Sequence, residues 1–134
     1  MKASVKWMGE ELFMGTSQNG HTIVLDANAG ASAPSPLENV LISLGACSSV
    51  DVVSILDKSR QNVSGCKVDI EAKRVDSVPK LFSDIHLHFV ITGQEVSAKH
   101  VERAVKLSAD KYCSVALMFN KTVKITHDFE IVEE

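Results

Sequence analysis

The stretch SPLENVLISLGACSSVDVV, residues 35–53, decides the fold of this chain. Ser35 is a favourable N-cap and Pro36 suits the first helical position, so the sequence predicts a helix from Pro36 to about Gln61. On a helical wheel the apolar side chains of this helix occupy two opposite sides. A helix that is apolar nearly all round must be covered on more than one side. We therefore predict that sheets with polar outer faces, from one subunit or from two, enclose it.

Alternating and β-branched segments on both sides of this helix predict strands. A meander of short strands is expected at the start of the chain, and three further strands are expected over residues 65–75, 81–92 and 121–132. Helical patterns cover residues 97–112 and, in a short second piece, residues 113–119. The order β-β-β-α-β-β-α-β predicts one α+β domain, residues 1–134, built with antiparallel sheets.

Composition restricts the classes of partner. The net charge of -3 provides no electrostatic footprint for nucleic acid or an anionic membrane. The N-terminal segment lacks the apolar run and cleavage site of a signal peptide. The uncharged stretch of the long helix, residues 39–50, is shorter than the roughly 18 residues that a membrane span needs. These features predict a soluble, cytoplasmic protein with neither nucleic acid nor a membrane as a partner.

The three cysteines are irregularly spaced and form neither a disulfide framework nor the paired Cys and His spacing of a zinc site. No metal and no cofactor is therefore predicted. Cysteine chemistry in this chain would be redox or nucleophilic chemistry of free thiols.

Cys47 lies in the only polar stripe of the long helix, with Ser43, Asp51 and Ser54 as its nearest neighbours along the helix axis. A free buried cysteine is most often a small core hydrophobe, and that alternative stays open for Cys47. Buried Ser and Asp side chains need partners and tend to gather at sites. The stripe therefore favours a thiol site.

A second candidate thiol, Cys113, follows Lys111 at the expected start of the short helix, where backbone N–H groups favour a thiolate. Core packing is the alternative for this residue as well. Cys66 opens a strand and has no such surroundings, so we expect it to be dispensable.

The histidines give weaker signals. His86 and His88 share the polar face of one predicted strand, where a solvated surface is expected because no third metal ligand is visible. His127 replaces an apolar residue on the inward face of the last strand. That position predicts a buried histidine or, as the alternative, a role near the thiols.

The segments SPLENVLISLGACSSVDVV and SADKYCSVALM together resemble the two-cysteine signature of the OsmC/Ohr family, the osmotically inducible and organic hydroperoxide resistance proteins. The similarity extends over nearly the whole chain, including the order of the strands, and is closest to the YhfA-like branch. It implies an OsmC-like fold in which antiparallel sheets wrap around the central helices of an intertwined homodimer.

In peroxidase members of the family, the first cysteine attacks a hydroperoxide and the second captures the sulfenic acid as a disulfide. The resemblance implies that Cys47 is the peroxidatic thiol and Cys113 the resolving thiol, with a dithiol such as a lipoylated protein as the reductant. Four further residues are candidates for supporting roles: Ser43, Asp51, Glu38 and His127.

Two departures from the peroxidase pattern imply a slow enzyme. Leu37 stands where peroxidase members carry a glutamate, and the neighbouring Glu38 points about 100° away on the helix. No arginine precedes Arg60, so the N-terminal arginine that pairs with the thiolate in those members is missing; Arg60, Arg74 or Arg103 could replace it. The leading hypothesis is a thiol-dependent redox protein in oxidative stress defence. The alternative is a non-catalytic module that holds a small apolar ligand between its central helices.

Overall fold

A three-stranded antiparallel meander opens the chain, as predicted. Its strands are β1 (Ala3–Trp7), β2 (Leu12–Ser17) and β3 (Thr22–Asp26), paired in that order. Gly9 and Gly20 lie in the two connecting turns with φ values of 97° and 86°. Glycine adopts this left-handed region without the steric cost that a Cβ imposes. The turns therefore fix where each strand reverses.

The computed structural model describes all 134 residues, and they form two compact units, residues 1–42 and residues 43–134. The long helix α1 (Pro36–Lys58) begins in the first unit and ends in the second. The single domain over residues 1–134 stays a prediction.

A capping box starts α1 at the predicted residue. The Ser35 hydroxyl accepts a hydrogen bond from the Glu38 backbone N–H at 3.1 Å, and the Glu38 carboxylate accepts one from the Ser35 N–H at 3.0 Å. This reciprocal pair satisfies two backbone donors at the helix start. The bond from the Ser35 N–H, together with the nearby Ser35 hydroxyl, holds the pKa of the Glu38 carboxylate below its usual range. Glu38 is thus engaged in capping the helix.

The C-terminal end of α1 lies at Lys58, three residues before the predicted end. Arg60 takes the left-handed conformation, with φ 58°. The N–H of Arg60 donates to the Asp57 carbonyl at 2.9 Å, and the N–H of Gln61 donates to the Leu56 carbonyl at 3.0 Å. These two bonds form a Schellman motif, which satisfies carbonyls of the last turn and stops the helix.

Only one side of α1 is covered within residues 43–134. Leu44, Val52 and Leu56 are fully buried, whereas Val50 is 69% exposed and Val53 is 43% exposed. By length and composition alone α1 could cross a bilayer, a test that the core helix of a soluble protein also passes. The absence of a membrane partner stays a prediction.

The second sheet has the order β4-β5-β6, with β4 at Asn62–Arg74, β5 at Phe82–Gln94 and β6 at Lys124–Glu133. β4 and β5 pair antiparallel, but β5 and β6 pair parallel. The predicted α+β order is confirmed, and the expectation of antiparallel sheets is corrected for the β5–β6 pair alone. A helical crossover separates β5 from β6, and such a crossover returns the chain to the same end of the sheet. The alternation over residues 81–92 predicts one apolar face, and four of its residues are buried: Ile85, Leu87, Phe89 and Ile91. Leu81, expected on the same face, precedes β5 and is 63% exposed.

The crossover differs from the single helix predicted over residues 97–112. Helix α2 (Ala98–Leu107) gives way to a π-helical segment (Ser108–Tyr112), and the short helix α3 (Ser114–Phe119) follows. Val101, Ala104 and Val105 form the buried face of α2.

The predicted burial of His127 is wrong. Its neighbours on the same face of β6, Ile125 and Phe129, are half-buried, but His127 itself is exposed. β6 is an edge strand of the sheet, and the alternation of side chains does not reveal how far an edge strand is covered.

Candidate thiol site

Two of the three cysteines come together although they lie far apart in the sequence. Cys47 lies on α1 and Cys113 is the N-cap residue of α3, and the Cys47 thiol is near enough to contribute to the raised pKa of Cys113. Cys47 is half-buried, whereas Cys113 has an exposed fraction of 0%. Solvent can therefore reach only one member of this thiol pair.

Two neutral donors hold the Cys113 sulfur. The Ser48 hydroxyl donates to Cys113 Sγ at 3.4 Å, and the Ala116 backbone N–H donates to the same atom at 3.5 Å. Burial nevertheless raises the pKa of the Cys113 thiol, and the neighbouring Cys47 raises it further, while the bonds from Ser48 and Ala116 oppose the rise. The two donors thus partly offset the cost of a buried thiolate.

The π-helical segment fixes the position of Cys113 against α1. Ser108, at its start, is 1% exposed and donates its hydroxyl to Asp51 Oδ2 at 3.0 Å. The Ser108 carbonyl accepts the Cys113 N–H at 2.8 Å, so one residue contacts both α1 and the second cysteine. Segments of π-helix inside longer helical runs are frequent at functional sites.

The structure brings some of the predicted supporting residues to the thiol pair and leaves others away from it. Asp51 is half-buried and bonded to Ser108, but Ser43 is exposed. Glu38 caps the helix, and no hydrogen bond joins His127 to either thiol. The surroundings of Cys47 and Cys113 are therefore provided mainly by residues outside the predicted stripe.

Two buried serines, Ser48 and Ser108, are the functional candidates that the sequence did not indicate. Ser48 is adjacent to Cys47 in sequence but points about 100° away on the helix, so a single-helix wheel excludes it from the stripe. Their partners are Cys113 and Asp51, which become neighbours only when α1 packs against the π-helical segment. The one signal available beforehand is the high number of serines around both cysteines.

Cys66 lies on β4 with surroundings of its own. It is half-buried and lies beside Ser49 of α1, whose hydroxyl donates to the Gly45 carbonyl at 2.7 Å. Burial raises the pKa of the Cys66 thiol, and the neighbouring Ser49 hydroxyl only partly opposes that rise. Cys66 therefore has no feature that favours a reactive thiolate.

An open groove of about 480 Å³ extends along α1 from the turn that carries Asp51. Lys58 and Arg103 contribute its cations, and Tyr112, the residue before Cys113, forms part of its wall. Arg74 is engaged elsewhere, since its Nε donates to the Lys80 carbonyl at 2.7 Å. Of the three arginines that could replace the missing one, Arg103 is thus the one that shares a groove with Asp51.

A second groove, of about 550 Å³, follows another side of α1. Val50, Val53 and Val63 give it apolar walls, and Asp57 and Gln61 add polar groups. No three His, Cys, Asp or Glu side chains are arranged to hold a metal ion. The arrangement can thus support chemistry between thiols and binding of small molecules along α1.

Comparison with known proteins is consistent with the resemblance noted in the sequence. The family model of OsmC-like proteins matches residues 29–128. Protein YhfA of Escherichia coli strain K12 is 52% identical over 132 residues, which cover 98% of each chain. A hypothetical protein from Aquifex aeolicus is 32% identical, with a TM-score of 0.89 over 99% of this chain and 96% of that one.

A more distant solved structure has the same fold. It is an organic hydroperoxide resistance protein OsmC, also described as a predicted redox protein, from Legionella pneumophila, with 15% identity and a TM-score of 0.73. The match covers 96% of this chain and 95% of that chain. This chain belongs to the OsmC-like protein family.

Proposed function

We propose that this protein is a thiol-dependent redox protein that reduces organic hydroperoxides through Cys47 and Cys113. The pairing of a half-buried thiol with a fully buried one carries the proposal. An external peroxide meets Cys47 first, and Cys113 is close enough to capture the product. Relatives described as redox and organic hydroperoxide resistance proteins support the same class of chemistry.

The proposed reaction has two oxidative steps. The Cys47 thiolate attacks the terminal oxygen of the hydroperoxide, the O–O bond breaks, and an alcohol leaves after taking up a proton. Cys47 is then a sulfenic acid. The Cys113 thiolate attacks the Cys47 sulfur, hydroxide leaves and is protonated to water, and a disulfide joins the two residues. A dithiol reductant, with a lipoylated protein as one candidate, returns both thiols.

We expect this reaction to be slow. The groups that hold Cys113 are a hydroxyl and an amide N–H, and neither carries a positive charge. A cation beside a thiol favours the thiolate, which is the reactive form. The glutamate and the N-terminal arginine of the peroxidase pattern are also replaced or missing. Turnover should therefore rise with pH as thiolate forms.

The same proposal includes a homodimer. Val50 and Val53 leave an apolar strip of α1 open to solvent, and a second subunit would cover it. Light scattering over a wide dilution range tests this part, and a folded monomer at micromolar concentration would contradict it. We also expect the protein to act in the cytoplasm, where free thiols stay reduced.

A binding module for a small apolar ligand is the second candidate. The groove lined by Val50, Val53 and Val63 favours it, since apolar walls with a few polar groups are typical of ligand sites. Under this alternative the cysteines pack the core, and exchanging them leaves ligand binding intact.

The deciding experiment measures consumption of a bulky and of a small hydroperoxide in the presence of a dithiol. We expect the wild type and Cys66→Ser to consume the bulky peroxide, and Cys47→Ser to consume none. Cys113→Ser should accumulate a sulfenic acid that a dimedone-type reagent traps. If Cys66→Ser lost activity while Cys113→Ser kept it, the assignment of the resolving thiol would be wrong.

A further inference from the structure

The two sulfurs of the thiol pair differ in exposure and in hydrogen bonding. Cys113 is fully buried, and its sulfur accepts from the Ser48 hydroxyl and from the Ala116 N–H. Cys47 is half-buried and is therefore the sulfur that solvent reaches. Ser48 itself is 2% exposed, so water cannot easily replace its hydroxyl as a donor.

This asymmetry matters when a disulfide between the two residues is reduced. A thiolate attacks one sulfur in line with the S–S bond, and the other sulfur leaves as a thiolate. Access decides which sulfur is attacked, and the stability of the departing thiolate speeds its departure. Access selects Cys47 as the sulfur that is attacked, because it is the accessible one. Burial opposes the departure of Cys113 as a thiolate, and the two donors to its sulfur are the groups that offset this cost.

We propose that Ser48 is a positioning residue that makes Cys113 the leaving group, so that a thiol reductant forms its mixed disulfide on Cys47. The inference rests on the proposed function for the existence of the Cys47–Cys113 disulfide. It adds which residue the reductant touches and which side chain directs the exchange. The reductant must accordingly present its thiol at the solvent side of α1.

The exchange balances in two steps. A reductant thiol loses its proton to solvent, its sulfur bonds to Cys47, and the electron pair of the broken S–S bond stays on Cys113, which then takes up a proton. A second thiolate of the reductant attacks the reductant sulfur of the mixed disulfide, and Cys47 leaves as a thiolate. The reductant is oxidised by two electrons, and the protein disulfide is reduced by two electrons.

Ser48 is held in place to perform this role. Its backbone carbonyl lies 3.4 Å from the Ser108 hydroxyl, whose one hydrogen is donated to the closer Asp51 Oδ2 at 3.0 Å. The Ser108 carbonyl in turn holds the Cys113 N–H at 2.8 Å. The chain of bonds from α1 to Cys113 thus keeps the Ser48 hydroxyl directed at one sulfur rather than at solvent.

The test uses a disulfide made without any peroxide. Diamide, an azo compound that is reduced to a hydrazine as it oxidises two thiols, converts the full-length protein to the disulfide form. β-Mercaptoethanol, a monothiol, is then added briefly, and iodoacetamide blocks the thiol that has been released. Peptide mass mapping should find the mercaptoethanol adduct on Cys47 and the alkyl group on Cys113. The reverse placement would overturn the inference and leave the proposed function in place.

Variants isolate the part played by Ser48. Ser48→Ala should slow the exchange by about tenfold, since a hydrogen bond to a charged leaving group is lost. Ser114→Ala, which removes an exposed hydroxyl next to Cys113, should leave the rate unchanged. In the Cys47→Ser background, Ser48→Ala should also move alkylation of Cys113 to higher pH. An unchanged rate together with an unchanged pH profile would overturn the role of Ser48.

The remaining outcomes separate this inference from the proposed function. If diamide yields no Cys47–Cys113 disulfide, both fail. If the adduct forms on Cys47 with the expected dependence on Ser48, but no hydroperoxide is consumed, the inference stands and only the peroxidase proposal fails.

Discussion

Two side-chain clusters within residues 43–134 bring together residues that are distant in the sequence. One cluster is buried and the other is exposed to solvent. The thiol cluster of Cys47, Ser48 and Cys113 is mostly buried and uncharged. The other cluster lies on the outer face of the second sheet, where His86 and His88 both contact Asp128 Oδ1, at 3.0 and 2.7 Å. These side chains are substantially exposed, and the Asp128 carboxylate gives the cluster its charge.

The pKa values of Cys113 in the first cluster and of His88 in the second are both raised, but for different reasons. Burial is the main reason that the pKa of Cys113 is raised, because a thiolate is costly where water is excluded. The hydrogen bond to Asp128 is the main reason that the pKa of His88 is raised, because the carboxylate stabilises the imidazolium. A raised pKa therefore weakens the reactive form in the first cluster and strengthens the ion pair in the second.

We expect the largest difference between the two clusters when one residue of each is exchanged and hydroperoxide consumption is measured. We expect Cys47→Ser to abolish hydroperoxide consumption, and Asp128→Asn to retain the wild-type rate within about twofold, since that residue lies on the outer face of the sheet. Initial rates with a bulky hydroperoxide, measured alongside circular dichroism to confirm folding, provide the comparison. Loss of activity in Asp128→Asn at unchanged stability would join the two clusters functionally and break the contrast.

The free energy of unfolding should depend on the hydrogen bond between Ser108 and Asp51, which lies beside the thiol pair. Ser108→Ala removes a buried donor to the Asp51 carboxylate, and we expect it to lower the free energy of unfolding by about 1–3 kcal/mol. Ser114→Ala is the matched control, because its hydroxyl is exposed, and its effect should stay within about 0.5 kcal/mol. Urea unfolding at pH 7 measures both. Equal effects would mean that the Ser108–Asp51 bond does not hold the π-helical segment against α1.

The smallest effect that we expect is on the pH dependence of stability, through His88 and Asp128 on the outer face of the second sheet. Because the pKa of His88 is raised in the fold, its contribution to stability is present below the unfolded value of about 6.5 and is lost as pH rises through the folded value. The pKa of Asp128 is lowered, so its contribution is present above about 3.9 and is lost as pH falls through the folded value. The pair should stabilise the fold most between these limits.

NMR titration of the histidine ring protons can test this assignment. Asp128→Asn should move the pKa of His88 back towards its ordinary value. Glu71→Gln removes a charge from the strand beside β5 without removing an ion pair, so it should move that pKa less. If the two variants gave equal shifts, the general field of the sheet face and not the contact with Asp128 would control His88.

The sequence could predict those features of the structure that depend on residues close together in the chain. The start of α1 was predictable because Ser35, Pro36 and Glu38 act within one turn of the chain. The inward face of β5 was predictable because alternation is a local property of a strand. Even the grouping of His86 with His88 follows from their spacing, although their partner on β6 does not.

Other features depended on packing between elements and were not predictable. The parallel pairing of β6 depends on where the crossover returns, and the exposure of His127 depends on what covers an edge strand. The partners of Ser48 and Ser108 lie on another element, whereas a helical wheel relates only residues of one helix. The family resemblance, and not the pattern of residues, was what paired Cys47 with Cys113.

The central claim is that Cys47 and Cys113 form a redox pair, and the mass of the protein after peroxide treatment tests it most directly. The reduced wild type receives one equivalent of a bulky organic hydroperoxide and is then alkylated, digested and mapped. We expect a peptide pair linked by Cys47 and Cys113, with Cys66 alkylated as a free thiol. An unmodified Cys47 and no disulfide, at peroxide levels that oxidise ordinary thiols, would contradict the account and favour the binding module.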